Sequence, residues 1–257
     1  RIGENENCPV PPKTQSNRAA ATERKKAGLE GDRWEVIFGG LFGACLGLGL
    51  LKFGNPVIFD QLIDRPGNIW EFVFQPWPVT WGYGLLACVL VCGLKVARFT
   101  VTAPRWLVAL PSIWFAWQVV ATVKSIDLRL SLPTLTHFAA CVLCFYLGLF
   151  ALSRVRRLMP FWIGLLISFS VVLWVGFEQH YGGLEATRRF FYEQPNWRDF
   201  PPEYLKKIAS DRIFSTLVYP NAFAGVIVLL LPVMVPITWN STGRLGPLRQ
   251  KVCTGLM

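Results

Sequence analysis

Long apolar stretches alternate with shorter polar ones along most of the chain. Six of these stretches have about the 20 residues that a helix needs to cross roughly 30 Å of hydrocarbon. They are residues 34–53, 77–97, 104–123, 133–153, 159–177 and 219–239. The pattern therefore predicts an all-α fold, a polytopic transmembrane helical bundle with about six spans.

The polar stretches divide the chain further. Residues 1–33 are polar, contain Pro11 and Pro12 and show no sustained apolar period, which predicts a disordered cytoplasmic tail. A five-span bundle is expected over residues 34–177, a periplasmic loop over 178–213, and the sixth span with a cytoplasmic end over 214–257. The chain opens on Arg1 and ends soon after a span, so we expect it to be part of a longer protein.

Charge gives the expected orientation. The net charge is +10, but a nucleic-acid partner would require the basic residues on one face, and here they sort by side of the membrane instead. The tail and alternate loops hold most of them: Arg18, Arg24, Lys25, Lys26, Arg33, Lys95, Arg98, Arg105, Arg154, Arg156, Arg157, Arg244, Arg249 and Lys251. By the positive-inside rule both ends are cytoplasmic, as in a multi-pass protein of the bacterial inner membrane, and no nucleic acid is expected.

The spacing of one histidine and two cysteines suggests a metal site. His137, Cys141 and Cys144 share one face of the fourth predicted span, a spacing that suits a metal or haem. Packing is the favoured interpretation, because no second histidine or acid lies in a neighbouring span to complete the ligands. Cys88 and Cys92 are interpreted in the same way. We expect neither a metal nor a cofactor.

Gly39, Gly43 and Gly47 recur at four-residue spacing in the first predicted span. Small residues on one helix face let another helix approach closely, so the run predicts helix packing.

The segment 178–213 is long for a connector, which favours a functional loop. It combines basic and aromatic residues, namely Arg188, Arg189, Arg198, Lys206, Lys207 and Arg212 with Phe190, Phe191, Tyr192 and Trp197. This mixture suits an anionic lipid headgroup or a pyrophosphate, with ordinary interfacial anchoring as the alternative.

His180 lies near Glu178 and Glu185 and is either a general base or a solvated loop residue. Pro201 and Pro202 predict the start of a short helix.

The sixth span is preceded by an arginine, Arg212, and by the pair Ser215 and Thr216. Pro220 suits the first turn of the sixth helix and leaves Asn221 near its unpaired N–H groups. A helix start flanked by an arginine is suited to an anion at the outer interface.

This segment resembles the start of the conserved region in the O-antigen ligase and O-antigen polymerase family. The matching residues are Arg212, Ser215, Thr216, Pro220, Asn221, Ala224 and Gly225. The resemblance implies a C-type membrane glycosyltransferase in lipopolysaccharide biosynthesis. Such a protein moves a glycan from undecaprenyl pyrophosphate to a lipid A-core or glycan acceptor on the periplasmic face. The resemblance also implies that Arg212 contacts the pyrophosphate and that Ser215, Thr216 and Asn221 belong to the substrate-binding site. It implies further that the catalytic histidine lies in a later outer loop. His180 is therefore not that residue.

Two other classes stay open at this stage. A transporter or a lipid-linked oligosaccharide flippase would also be polytopic, although such proteins tend to carry charged residues near the bilayer midplane. A non-enzymatic assembly partner would have only the glycine-lined first span in its favour. The sequence distinguishes neither the sugar nor the acceptor.

Overall fold

The computed structural model describes residues 13–54, 57–100, 103–193, 197–217 and 219–242, and all regular structure within these ranges is helical. The α-helices are α1 (Lys13–Lys52), α2 (Ile69–Phe74), α3 (Val79–Val96), α4 (Arg105–Val123), α5 (Leu128–Phe150), α6 (Met159–Glu178), α7 (Leu184–Glu193), α8 (Pro202–Ile208) and α9 (Pro220–Thr242). A short segment, Gln179–Gly183, connects α6 to α7 and contains a kink at Tyr181 and Gly182, where Gly182 has φ 113°.

Six of these helices are long and apolar enough to cross a membrane, which confirms the predicted all-helical, six-span architecture. They are α3, α4, α5, α6, α9 and the part of α1 from Asp32 onward. The fourth span begins at Leu128, before the predicted start at residue 133. Asp127 explains the earlier start, because its carboxylate caps the helix by accepting the N–H groups of Arg129 and Leu130.

Helix α1 begins at Lys13, within the segment predicted to be a disordered tail. Residues 13–33 are polar but rich in alanine, glutamate, lysine and arginine, which have high helix propensity, so polarity alone was a poor guide here. Residues 1–12 of that predicted tail lie outside the described residues. So do residues 243–257, the predicted cytoplasmic end.

The closest helix pair is α1 against α6, and glycines make it possible. A Cβ atom on Gly43 would lie 2.1 Å from the carbonyl oxygen of Phe161, and one on Gly47 would lie 2.3 Å from Ser168 Oγ. On the facing helix, a Cβ atom on Gly164 would lie 2.8 Å from the Ala44 nitrogen. The glycine spacing in the first span therefore serves helix packing, as predicted.

Helix α4 lies at the edge of the bundle and has no buried residue. Tyr146 of α5 holds it by donating a hydrogen bond to the Val108 carbonyl at 2.8 Å. Trp106, Trp114 and Trp117 remain exposed on α4. A helix of this length with an outward apolar surface is suited to lipid contact.

The short helix α2 follows the first span and has no buried residue. The Asn68 side chain accepts the N–H of Glu71 at its start, and Lys52 Nζ donates to the carbonyls of Val73 and Gln75 at its end. This doubly capped helix exposes the stacked rings of Trp70 and Phe74. Exposed aromatic rings next to the end of a span are suited to the headgroup region of a membrane.

Candidate functional site

The segment that enters the sixth span crosses the ends of two other spans. Ser215 Oγ donates to the Val172 carbonyl of α6 at 2.6 Å, and Thr216 Oγ1 donates to the Leu50 carbonyl of α1 at 2.9 Å. Each hydroxyl has one hydrogen to donate, so both donors are used on main-chain oxygens. Ser215 and Thr216 therefore anchor this segment to α1 and α6.

Gln179 lies beneath the same segment and is buried. Its Oε1 accepts the N–H of Phe214 at 3.2 Å and the N–H of Ser215 at 2.8 Å, while its Nε2 donates to the Ser215 carbonyl at 3.4 Å. Ser215 has φ 54°, a left-handed conformation that is uncommon for residues other than glycine. The amide of Gln179 and the hydroxyl bond to Val172 together hold that conformation.

Sequence reasoning missed Gln179. It directly follows Glu178 at the end of a predicted span, where polar residues are ordinary and carry no signal of their own. The kink after it, at Tyr181 and Gly182, was not predictable either. The amide of Gln179 bonds a segment 35 residues later, at Phe214.

The basic and aromatic composition of the outer loop suggested that its arginines bind an anion, but Arg188 has a different role. Its guanidinium donates to the carbonyls of Ile208 at 3.1 Å and Ser210 at 2.6 Å, to Asp211 at 2.9 Å, and to Glu185. The side chain is only 14% exposed. Arg188 thus ties α7 to the end of α8 and the residues after it, and four of its five N–H donors are used within the protein.

The outer segment has its own small core. Phe200, Tyr204, Ile208 and Phe214 are buried together, with Phe191 of α7 packed against them. Burial raises the pKa of Tyr204 above its ordinary value of 10.0, and the nearby Tyr219 adds to the effect. Residues predicted as one loop therefore form two helices, one of which, α8, begins at the predicted Pro201–Pro202 position.

A cavity of about 500 Å³ lies between this outer core and the ends of α1, α2 and α6. Most of its wall is apolar or aromatic: Leu51, Leu62, Ile63, Phe74, Val175, Phe190, Phe191, Phe200, Tyr204, Ile208 and Phe214. Its polar wall residues are Asp64, Gln75, Gln179, Thr187, Ser215 and Thr216. This size, with a largely apolar wall and a few polar groups, is typical of a site for a small amphiphilic molecule.

The structure brings together two of the four predicted site residues. Ser215 and Thr216 line the cavity. Arg212 is exposed and outside the wall, although it lies two positions before the wall residue Phe214. Asn221 is exposed in the first turn of α9 and is also outside the wall. The surface around the cavity carries further exposed cations on α7, the following turn and α8: Arg189, Arg198 and Lys206.

The cysteine and histidine residues were the other candidates for chemistry, as ligands of a metal or haem. Within the part of the chain that the structure describes, no three residues of His, Cys, Asp or Glu are grouped so as to hold a metal ion. The five cysteines in that part are free thiols, and Cys8 and Cys253 lie outside it. Glu185 pairs with Arg188, while the ring of His180 contacts Tyr181 at 5.0 Å between centroids.

No protein-family model, curated protein or solved structure matches this chain. The described helices define its class by themselves: an α-helical protein with six helices suited to span a membrane.

Proposed function

We propose that this protein is a C-type membrane glycosyltransferase of the O-antigen ligase and polymerase kind, acting at the periplasmic face of the bacterial inner membrane. It takes a glycan from undecaprenyl pyrophosphate and joins it to a lipid A-core or glycan acceptor. One observation carries the proposal most directly. The segment with the family-like motif forms part of the wall of the 500 Å³ cavity through Ser215 and Thr216.

The cavity suits the two chemical parts of such a donor. An isoprenoid chain needs apolar surface, which Phe190, Phe191 and Phe200 provide in the wall. Its pyrophosphate needs hydrogen-bond donors and positive charge. Among the arginines near the wall in sequence, Arg189 and Arg212 are exposed, whereas Arg188 is paired within the protein.

Arg212 is the residue proposed to contact the pyrophosphate. Its guanidinium can offer two parallel hydrogen bonds to phosphate oxygens. When the glycan is transferred, negative charge grows on the departing pyrophosphate, and a fixed cation stabilises that charge. Asn221, in the first turn of α9, is proposed to contact the same group from the helix start, where unpaired N–H groups also favour an anion.

Ser215 and Thr216 enter the proposal in a narrower role than the resemblance implies. Their hydroxyl hydrogens are donated to Val172 and Leu50. They therefore position the segment between Arg212 and Asn221. The activity is proposed for the full-length protein, since the resemblance places the catalytic histidine in a later loop.

Filling the cavity tests the proposal at its binding step. Val175 lines the cavity, whereas Val171, one turn earlier on α6, is exposed on the outside of the bundle. Val175→Trp should weaken binding of undecaprenyl pyrophosphate to the purified protein in nanodiscs by at least about tenfold, because the added ring occupies the site. Val171→Trp is the matched control and should bind as the wild type does. Equal binding by wild type and Val175→Trp would contradict the proposal.

A further inference from the structure

A second concave surface lies at the opposite end of the bundle, where α3 and α5 end. It is a groove of about 300 Å³ between these two helices. Its wall is apolar throughout and is formed by Leu90, Gly93, Leu94, Ala97, Phe99, Leu143, Tyr146, Leu147, Phe150 and Ala151. Leu94 and Phe99 are 60% and 75% exposed, so the groove opens to the outside of the bundle. This shape and chemistry suit a hydrocarbon chain.

Two arginines lie where the groove meets the connecting loops. The main-chain N–H of Arg98 donates to the Phe150 carbonyl at 3.0 Å, which places Arg98 beside two wall residues, Ala97 and Phe99. Arg154 reaches back from the turn after α5 and donates to Thr100 Oγ1 at 3.3 Å. Both cations are therefore at one mouth of the groove.

Arg154 has a donor that the protein leaves unused. Its Nε is buried and has no hydrogen-bond partner among the described residues. Because this Nε atom is closed to the outside, an anion at the mouth would contact the terminal Nη atoms of Arg154, which carry four N–H donors and of which Nη2 also donates to Thr100.

The loops around this mouth carry positive charge and no acidic residue. The sequence from 94 to 105 and from 150 to 160 contains Lys95, Arg98, Arg105, Arg154, Arg156 and Arg157 but no Asp or Glu. The nearby carboxylate of Glu35, on α1, already accepts the N–H of Arg156 at 2.9 Å. The mouth therefore attracts an anion, and the positive-inside prediction assigns it to the cytoplasmic leaflet, which is rich in anionic lipid.

We infer that this groove binds an anionic phospholipid, with one acyl chain between α3 and α5 and the phosphate against Arg98 and Arg154. A free anion would use the arginines but not the apolar wall, and a zwitterionic lipid would bring a positive group to a positive mouth. An anionic phospholipid matches both parts at once. The inference is independent of the function proposed for the cavity at the other end.

Native mass spectrometry of the full-length protein in detergent tests the inference. The probes are dioleoyl phosphatidylglycerol and dioleoyl phosphatidylethanolamine, titrated separately. Wild type should retain phosphatidylglycerol in preference to phosphatidylethanolamine. The double variant Arg98→Gln with Arg154→Gln should bind phosphatidylglycerol about 30-fold more weakly, as expected for removing two basic contacts near a membrane surface.

Two further variants keep the result interpretable. Lys124→Gln with Arg129→Gln removes two exposed cations at the connection between α4 and α5, outside the walls of both the groove and the cavity, and should leave phosphatidylglycerol binding unchanged. Ala97→Phe fills the groove but keeps both arginines, so it should also weaken binding, even where the double arginine variant fails to fold. Equal retention of the two lipids by wild type would overturn the inference, as would unaltered phosphatidylglycerol binding by Ala97→Phe.

Discussion

The side-chain amide of Gln179 holds the main chain of Ser215 on both sides, accepting its N–H at 2.8 Å and donating to its carbonyl oxygen at 3.4 Å. Gln179 directly follows the helix of the fifth span, and Ser215 precedes the sixth span. This buried contact joins the ends of two consecutive spans through residues 36 positions apart. It fixes the course of the segment that forms one wall of the cavity.

Replacing Gln179 with leucine should lower the free energy of unfolding by about 3 kcal/mol. The change leaves the buried N–H groups of Phe214 and Ser215 without an acceptor, and each unsatisfied donor costs roughly 1 to 3 kcal/mol. Denaturant titration in mixed micelles, followed by circular dichroism, measures the difference.

Gln118→Leu is the control for that measurement. Gln118 lies on the peripheral helix α4, which has no buried residue, so the same chemical change there should cost little. A Gln179→Leu protein as stable as the wild type would show that the amide does not hold the segment.

Arg188 and Arg189 are neighbours with different surroundings. Arg188→Met should loosen the segment from 202 to 214, because it removes the donors to the Ile208 and Ser210 carbonyls, and hydrogen bonds to a charged group contribute roughly 1.5 to 3 kcal/mol. The exposed pair with Glu185 adds little to this. Amide hydrogen exchange should be faster in that segment.

Arg189→Met provides the comparison, since Arg189 is exposed. Its exchange pattern should match that of the wild type. Faster exchange of equal size in both variants would contradict the role assigned to Arg188.

Gly43→Ala should destabilise the protein by about 2 kcal/mol, a typical cost of overpacking. The added Cβ would lie 2.1 Å from the Phe161 carbonyl oxygen, so α1 and α6 must separate. Gly49→Ala in the same helix meets nothing within 4 Å and should be neutral or stabilising by up to about 1 kcal/mol. Similar denaturant midpoints for the two variants would refute the close approach of α1 and α6.

The buried phenol of Tyr204 should make the folded protein less stable at alkaline pH. Burial raises the pKa of its phenol above 10.0, so above that pH the unfolded chain releases a proton that the folded chain keeps. Deprotonation then favours unfolding, by at most about 1.4 kcal/mol per pH unit. Stability measured from pH 9 to 12 should fall less steeply in Tyr204→Phe than in wild type.

Tyr181→Phe is the control, because Tyr181 is 82% exposed. It should keep the wild-type slope. An unchanged slope in Tyr204→Phe would show that Tyr204 is not the residue responsible.

The spans were predictable because a membrane imposes a length and a composition that can be counted along the chain. The glycine spacing likewise predicted close packing, which the approach of Gly43 to Phe161 confirms. The helical start of α1 at Lys13 was not predicted, since its residues are polar and only their propensity favours a helix.

The candidate site was predictable only in part. Ser215 and Thr216 were selected by their motif and do line the cavity, but their hydroxyl bonds to Val172 and Leu50 depend on tertiary structure. Gln179 bonds main-chain groups 35 and 36 positions away, and Arg188 bonds the Ile208 carbonyl 20 positions away. No local pattern indicates such partners.

The most direct test of the proposed function is glycan transfer by Arg212→Ala in the full-length protein, compared with Arg129→Ala. Arg129 is an exposed arginine in the first turn of α5 and is not part of the cavity wall. Both variants should reach the membrane in wild-type amounts. Arg212→Ala should lose transfer of glycan to its acceptor, whereas Arg129→Ala should retain it. Normal glycan ladders from Arg212→Ala would contradict the proposal.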